Sequence, residues 1–244
     1  MTHAPIISAL EQAIKQAALH LYLVPMVDEF QSEYIPASAA RLPYVTRFDG
    51  SAGLGVFWAT PNENRRHTLF VDGRYTIQAA QQVDSAMVEV INSGDVSFLD
   101  WLSKQGENLR IGLDPWLITE AQREGWAKAT AAQCVVWVAH PHNLVDTIWE
   151  KRPKQPSGLV ELHDQALAGA SYAQKREAIL AALRAHSADS VLLTQPDGIN
   201  WLLNIRGSDV HFNPLLLAQM LLRADGSATL FMHPHTLESE VAAY

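Results

Sequence analysis

Apolar positions in the first eighty residues change period twice. From Ile7 to Leu19 they fall at Leu10, Ile14, Ala17 and Ala18, the spacing of an amphipathic helix. From Leu21 to Met26 the run is continuous, which predicts a buried strand following that helix. A polar stretch, Val27 to Tyr34, follows, then a short helix or loop over Ala37 to Val45. The stretch from Tyr44 to Ala80 organises the rest. It holds a glycine turn at Asp49-Gly50-Ser51, the apolar run Val56-Phe57-Trp58, a polar loop at Pro61 to Asn64, and a second apolar run from Thr68 to Val71. This is the pattern of a hairpin. The second strand ends in Asp72-Gly73-Arg74-Tyr75 and passes into a helix over Tyr75 to Val83.

Beyond it, alternation predicts a strand at Val88 to Val90, a helix at Phe98 to Lys104 and a strand at Arg110 to Leu113. A helix follows over Thr119 to Ala132, with Thr119 as its N-cap, then a strand over Cys134 to Val138 and a capped helical turn over Asn143 to Trp149. Helices and strands alternating in this way make an α/β domain with a mixed sheet.

Glu150 to Gly158, EKRPKQPSG, carries two prolines, a glycine and four charges, and reads as a linker. After it the order of signals restarts. Ala173 to His186 is helical, Ser190 to Thr194 a strand, and Ile199 to Ile205 an apolar run ending in Arg206-Gly207-Ser208-Asp209, the counterpart of the Phe48 to Ser51 turn. Leu215 to Leu222, Ala224 to Ser227 and Thr229 to Met232 repeat the hairpin. The reading is a diverged duplication: a first domain over 1–149, a linker over 150–158 and a second copy over 159–244. Only twelve residues follow Met232, so the second copy is expected to be incomplete, completed by a partner or by further chain.

Composition narrows the partners. The 244 residues are 48% hydrophobic and carry a formal net charge of −8, which argues against nucleic acid or an anionic membrane. Cys134 is the one cysteine, so no intrachain disulfide can form and a reducing compartment is favoured. It is expected as a buried bystander, with a reactive thiol as the alternative. The N-terminus lacks the pattern of a signal peptide, and the apolar run at Leu215 to Leu222 is too short to span a bilayer. A soluble, cytoplasmic protein is expected.

Candidate chemistry is sparse. Gly53-Leu54-Gly55 lacks a third glycine and lies in a hairpin, so it is no dinucleotide fingerprint; a phosphate-binding loop, H-E-x-x-H and G-x-S-x-G are also missing. Ser51 is expected to hydrogen-bond within its turn, not to act as a nucleophile. His140-Pro141-His142 and His233-Pro234-His235 each pair two imidazoles, but no carboxylate or cysteine stands at ligand spacing. Asp28, Asp49, Asp72 and Asp209 could gather as a carboxylate cluster, and turn formation is the plainer role for each. Arg74 and Arg206, each beside a glycine at the end of an apolar run, could grip a substrate carboxylate or tie down a turn by a salt bridge.

FDGSAG at Phe48 to Gly53, VDGRYTIQAA at Val71 to Ala80, NLVDTIW at Asn143 to Trp149 and NIRGSDVHFNP at Asn204 to Pro214, together with QSEYIP at Gln31 to Pro36, resemble the three-domain Xaa-Pro aminopeptidases (aminopeptidase P). The resemblance spans most of the chain in the family's order. It implies a pair of creatinase-like N-terminal domains preceding a "pita-bread" catalytic domain. In that family the catalytic domain holds two divalent metal ions, usually manganese, through two Asp, one His and two Glu, and a bridging water attacks the bond before proline. None of those ligand motifs matches a position here. The implied function is therefore the non-catalytic N-terminal portion of such an enzyme, shaping access to the cleft and assembly, inactive alone and with no cofactor of its own. Arg206 and Asp209 are the residues expected to face that cleft. The implied substrate of the parent is a peptide with proline in second place, and a homodimer is one assembly considered. Two other readings stand beside this: a stand-alone creatinase-like module that binds protein or peptide without catalysis, and a different pita-bread enzyme such as a prolidase, from which the GRY and RGSD motifs point away.

Overall fold

The computed structural model describes residues 4–234, 237 and 239–244. They divide into two compact units, one of Met1–Glu33 and Ala39–Pro153, the other of Tyr34–Ser38 and Lys154–Tyr244.

In the first unit, α1 (Ala4–Gln16) buries Ile7, Leu10 and Ile14, the face given by its helical spacing. β1 (Leu21–Pro25) follows with four consecutive buried residues, as a strand covered on both faces requires. It pairs antiparallel with β2 (Leu54–Trp58), which pairs antiparallel with β3 (His67–Val71). β4 (Val88–Asn92) lies parallel to β3, β5 (Arg110–Leu113) parallel to β1, and β6 (Val136–Ala139) parallel to β5. The six-stranded order is β4-β3-β2-β1-β5-β6, the mixed sheet the alternation predicts. Helices α2 (Arg41–Thr46), α3 (Thr76–Gln82), α4 (Phe98–Leu102), α5 (Glu120–Ala129) and α6 (Leu144–Ile148) connect the strands. Trp58, Phe70 and Trp101 pack with Leu21, Leu23 and Ile111 into one core, and Trp126 stacks on Trp137 beside it at 5.3 Å.

Thr119 caps α5 as its position suggests, in a reciprocal box with Gln122. Cys134 is a correction. It is exposed, and the strand begins at Val136, because Cys134 closes a tight turn over Ala131–Gln133 with a left-handed φ of 55°. Its apolar neighbours belong to an edge strand, where Val136 is itself exposed.

The second unit repeats the start of the first. α8 (Tyr172–Ala185) leads to β8 (Ser190–Leu193), then α9 (Pro196–Leu203), then the hairpin of β10 (Ala218–Arg223) and β11 (Ala228–Met232). The sheet order β11-β10-β8, antiparallel throughout, matches β3-β2-β1. Among the described residues the far edge of β8 has no strand partner, where β1 has β5. Sequence periodicity missed the pair formed by β7 (Val160–Leu162) and β9 (Ile205–Gly207), and the one-turn α7 (Gln165–Ala168); these are too short to show a period. The last element, α10, is Ser239–Ala243. Ser171 opens α8 with a second capping box. Lys175, buried on α8, donates to the Trp201 carbonyl (2.8 Å) and to Asn204 Oδ1 (2.5 Å), satisfying the C-terminal end of α9 with a cation.

Candidate functional site

The two motif turns of the first unit meet each other. Phe48 is fully buried and presents its ring to the edge of Tyr75 at 5.6 Å. Ser51 Oγ lies 2.9 Å from the Tyr75 hydroxyl and donates to Glu33 Oε1 at 3.3 Å, so its hydrogen bonds run to side chains around the turn. Asp49 accepts from the side-chain amides of Gln78 and Gln82 on α3, both at 2.7 Å. Gly50 must be glycine, since a Cβ there would stand 2.3 Å from the Phe48 ring. Asp72 accepts from the Arg74 amide (2.9 Å) and guanidinium (2.7 Å), which holds its carboxyl below the usual range, and Arg74 lies over the Tyr75 ring. Arg74 is thus a turn-locking cation.

Asp28 is fully buried and turns the chain back through the Phe30 and Ser32 amides. Burial pushes its carboxyl pKa up, and Oδ2 has no partner among the described groups. Asp28 and Asp72 each serve their own turn, whereas Asp49 reaches side chains on α3, and among the described residues no three His, Cys, Asp or Glu side chains gather in a way that could hold a metal ion. His140 and His142 lie in a loop where a His140 ring nitrogen sits 2.7 Å from the His142 carbonyl. His235 lies outside the described residues, so the second histidine pair is not described. The described side chains do not fit a di-metal centre.

In the second unit the RGSD segment laces backbone together. Arg206 on β9 is exposed, opposite Glu161 across the strand pair. Gly207 lies so close to the next segment that a Cβ would stand 2.3 Å from the Leu216 nitrogen. Ser208 accepts from the Leu159 amide at 2.8 Å. Asp209 is buried, and its two carboxylate oxygens accept from the amides of Gly158 and Leu217, both at 2.9 Å. The same unit holds an apolar cavity of about 220 Å³ whose lining includes Leu203, Leu216, Met220, Leu230 and Met232. Among the described residues of its lining, Tyr172 and Tyr244 supply the polar side chains and the rest is apolar, so it offers chiefly apolar contact.

Three arrangements escaped the sequence reading. Arg41 is buried on α2 and forms a two-pronged ion pair with Asp146 on α6 (2.8 and 2.9 Å), and Arg152 adds a third contact at 2.7 Å. Buried His67 lies between the Trp58 amide and Glu11. Tyr34 meets Phe212 inside the second unit. Both Tyr34 and Phe212 fall in quoted motifs, but nothing in either motif signals the other.

A model of the creatinase/prolidase N-terminal domain matches residues 7–145, more than half of the chain, and a second model of the same description matches residues 151–244. The chain belongs to the creatinase/prolidase N-terminal domain family. It is 30% identical over 242 residues to a probable Xaa-Pro aminopeptidase P of Aspergillus niger, covering 98% of this chain and 38% of that protein. It is 33% identical over 227 residues to aminopeptidase P1 of Arabidopsis thaliana, covering 93% and 34%. Among solved structures it is similar to the X-prolyl aminopeptidase of Caenorhabditis elegans, with a TM-score of 0.90 and 28% identity over 100% of this chain and 41% of that one. That protein is described as a cytosolic enzyme with a di-nuclear active site. The chain therefore spans between 34% and 41% of the length of these relatives. Among the described residues, no helix is long and apolar enough to cross a membrane.

Proposed function

We propose that this chain is the N-terminal, non-catalytic portion of a metal-dependent Xaa-Pro aminopeptidase, acting in the cytoplasm on peptides with proline in second place. The observation that carries this reading is the TM-score of 0.90 over the whole chain to an X-prolyl aminopeptidase of which the chain covers 41%. The two divalent metal ions, manganese by the family's habit, belong to the catalytic portion. The described residues gather no set of ligands for them. In this reading the two domains, 1–149 and 159–244 joined by 150–158, wall the approach to the catalytic cleft and support assembly, a homodimer included. Arg206 offers an exposed guanidinium towards a peptide, and Asp209 is the buried anchor that holds its loop. The unpaired edge of β8 and exposed Leu192 support further chain packing beside this sheet.

The test has two arms. The purified chain with added manganese is expected to give no cleavage of an Xaa-Pro peptide above a metal-free control; turnover would overturn the non-catalytic reading. The intact mass of the native protein is expected to exceed that of these 244 residues by a catalytic domain. A native mass equal to this chain would favour a stand-alone binding module.

A further inference from the structure

Phe212 is the most exposed large apolar side chain among the described residues, at 81%. It sits at the tip of a tight turn closed by the bridge between Val210 and Asn213, with a left-handed φ of 71°. A bulky side chain at positive φ and an apolar ring in water are both unfavourable for folding, so stability does not account for phenylalanine here. The turn is nonetheless rigidly founded. Gly207 donates to the Pro214 carbonyl at 3.2 Å, the Asp209 amide to the Leu215 carbonyl at 3.1 Å, and Asp209 is fixed by its two backbone partners. Two further rings stand beside Phe212. Tyr34, from a segment that folds with this unit, meets it edge-on at 6.3 Å and 70°, and His211 lies at 4.2 Å. Tyr34 is itself 42% exposed.

A rigid, open group of aromatic rings is the surface that proline prefers. The pyrrolidine ring is apolar, conformationally fixed and without an N–H, so it is recognised by packing on aromatic faces at small entropic cost. Resting on the Xaa-Pro reading above, we propose that Tyr34, His211 and Phe212 form a recognition step for the proline-bearing stretch of a peptide substrate, with Phe212 its specificity-determining ring.

The probe is the tripeptide Arg-Pro-Pro, compared with Arg-Ala-Ala, titrated into the isotopically labelled 244-residue chain and followed by the ring resonances of Tyr34 and Phe212. The rings are expected to shift with Arg-Pro-Pro and much less with Arg-Ala-Ala. Phe212→Ala should weaken binding roughly tenfold, and Phe212→Tyr should retain it. Because Phe212 is exposed, both variants are expected to keep the wild-type circular dichroism spectrum, which serves as the folding control. Equal response to both peptides, or shifts unaffected by Phe212→Ala, overturns the proposal. So does concentration-dependent self-association that Phe212→Ala abolishes without any peptide effect, which would make the rings a contact between copies. No metal or turnover is required. Failure here therefore leaves the aminopeptidase reading standing, and turnover by the chain would overturn that reading without touching this one.

Discussion

His67 accepts the backbone N–H of Trp58 at Nδ1, at 3.1 Å, and this bond fixes the tautomer of a buried imidazole. The ring proton must then lie on Nε2, which donates to Glu11 Oε1 at 2.9 Å. One side chain thereby ties α1 to the loop end of the β2–β3 hairpin. A doubly protonated ring could not accept from Trp58.

This predicts acid sensitivity. Burial lowers the His67 pKa from its ordinary value of 6.5, against the opposing pull of Glu11. The unfolded chain therefore binds the proton more readily, and stability rises with pH through this window. The contribution is fully present above pH 6.5 and is lost as pH falls towards the lowered folded value. Urea midpoints should fall more steeply between neutral and mildly acidic pH for the wild type than for His67→Gln. Parallel curves would refute this. His67→Ala should cost about 1–3 kcal/mol at neutral pH, by leaving the Trp58 amide buried without an acceptor.

The ion pair of Arg41 and Asp146 should be asymmetric. Asp146→Ala removes the carboxylate from two guanidiniums and leaves Arg41 buried, at a cost of about 3 kcal/mol. Arg41→Leu leaves Asp146 its contact with Arg152 and should cost less. Denaturant midpoints of the two variants check the order; a larger loss for Arg41→Leu would contradict it.

Asp209 is expected to hold the end of the 150–158 segment. Asp209→Ala deprives the Gly158 and Leu217 amides of a charged acceptor, which costs about 1.5–3 kcal/mol for a single such bond and more for two. Limited trypsin digestion should then cut faster after Lys154, with Asp209→Asn intermediate because one acceptor oxygen remains. Unchanged digestion would show that Gly158 is held by other means.

Gly207→Ala should destabilise by at least about 1–3 kcal/mol, the usual cost of overpacking, because the new methyl meets the backbone at Leu216. Gly73→Ala meets nothing within 4 Å and should be close to neutral. Thermal melts of the two variants make the comparison, and equal shifts would argue against the packing account.

How much of this was legible in the sequence depended on range. Thr119 directly precedes its helix, so its role as N-cap could be read locally, and the structure adds the reciprocal bond with Gln122 three residues on. The hairpin of β2 and β3 was legible because two apolar runs flank a polar loop, and the second unit was legible because the same order recurred after Gly158. Cys134 was misjudged because hydropathy counts apolar residues without knowing that their strand lies at a sheet edge. Arg206 and Asp209 were singled out together, yet one is exposed and the other buried among backbone amides, a difference no motif encodes.

The sequence by itself determined the alternation of elements, the repeat and the family, because these rest on local periodicity, caps and short motifs. Only the tertiary structure decided which charges meet. Arg41 and Asp146 are 105 positions apart, and His67 and Glu11 are 56 apart. Such pairs form because sheet order brings distant helices and strands together, and burial then fixes their protonation and partners. The meeting of Tyr34 with Phe212 is of the same kind: two motifs that identify a family separately become a surface only when the chain folds.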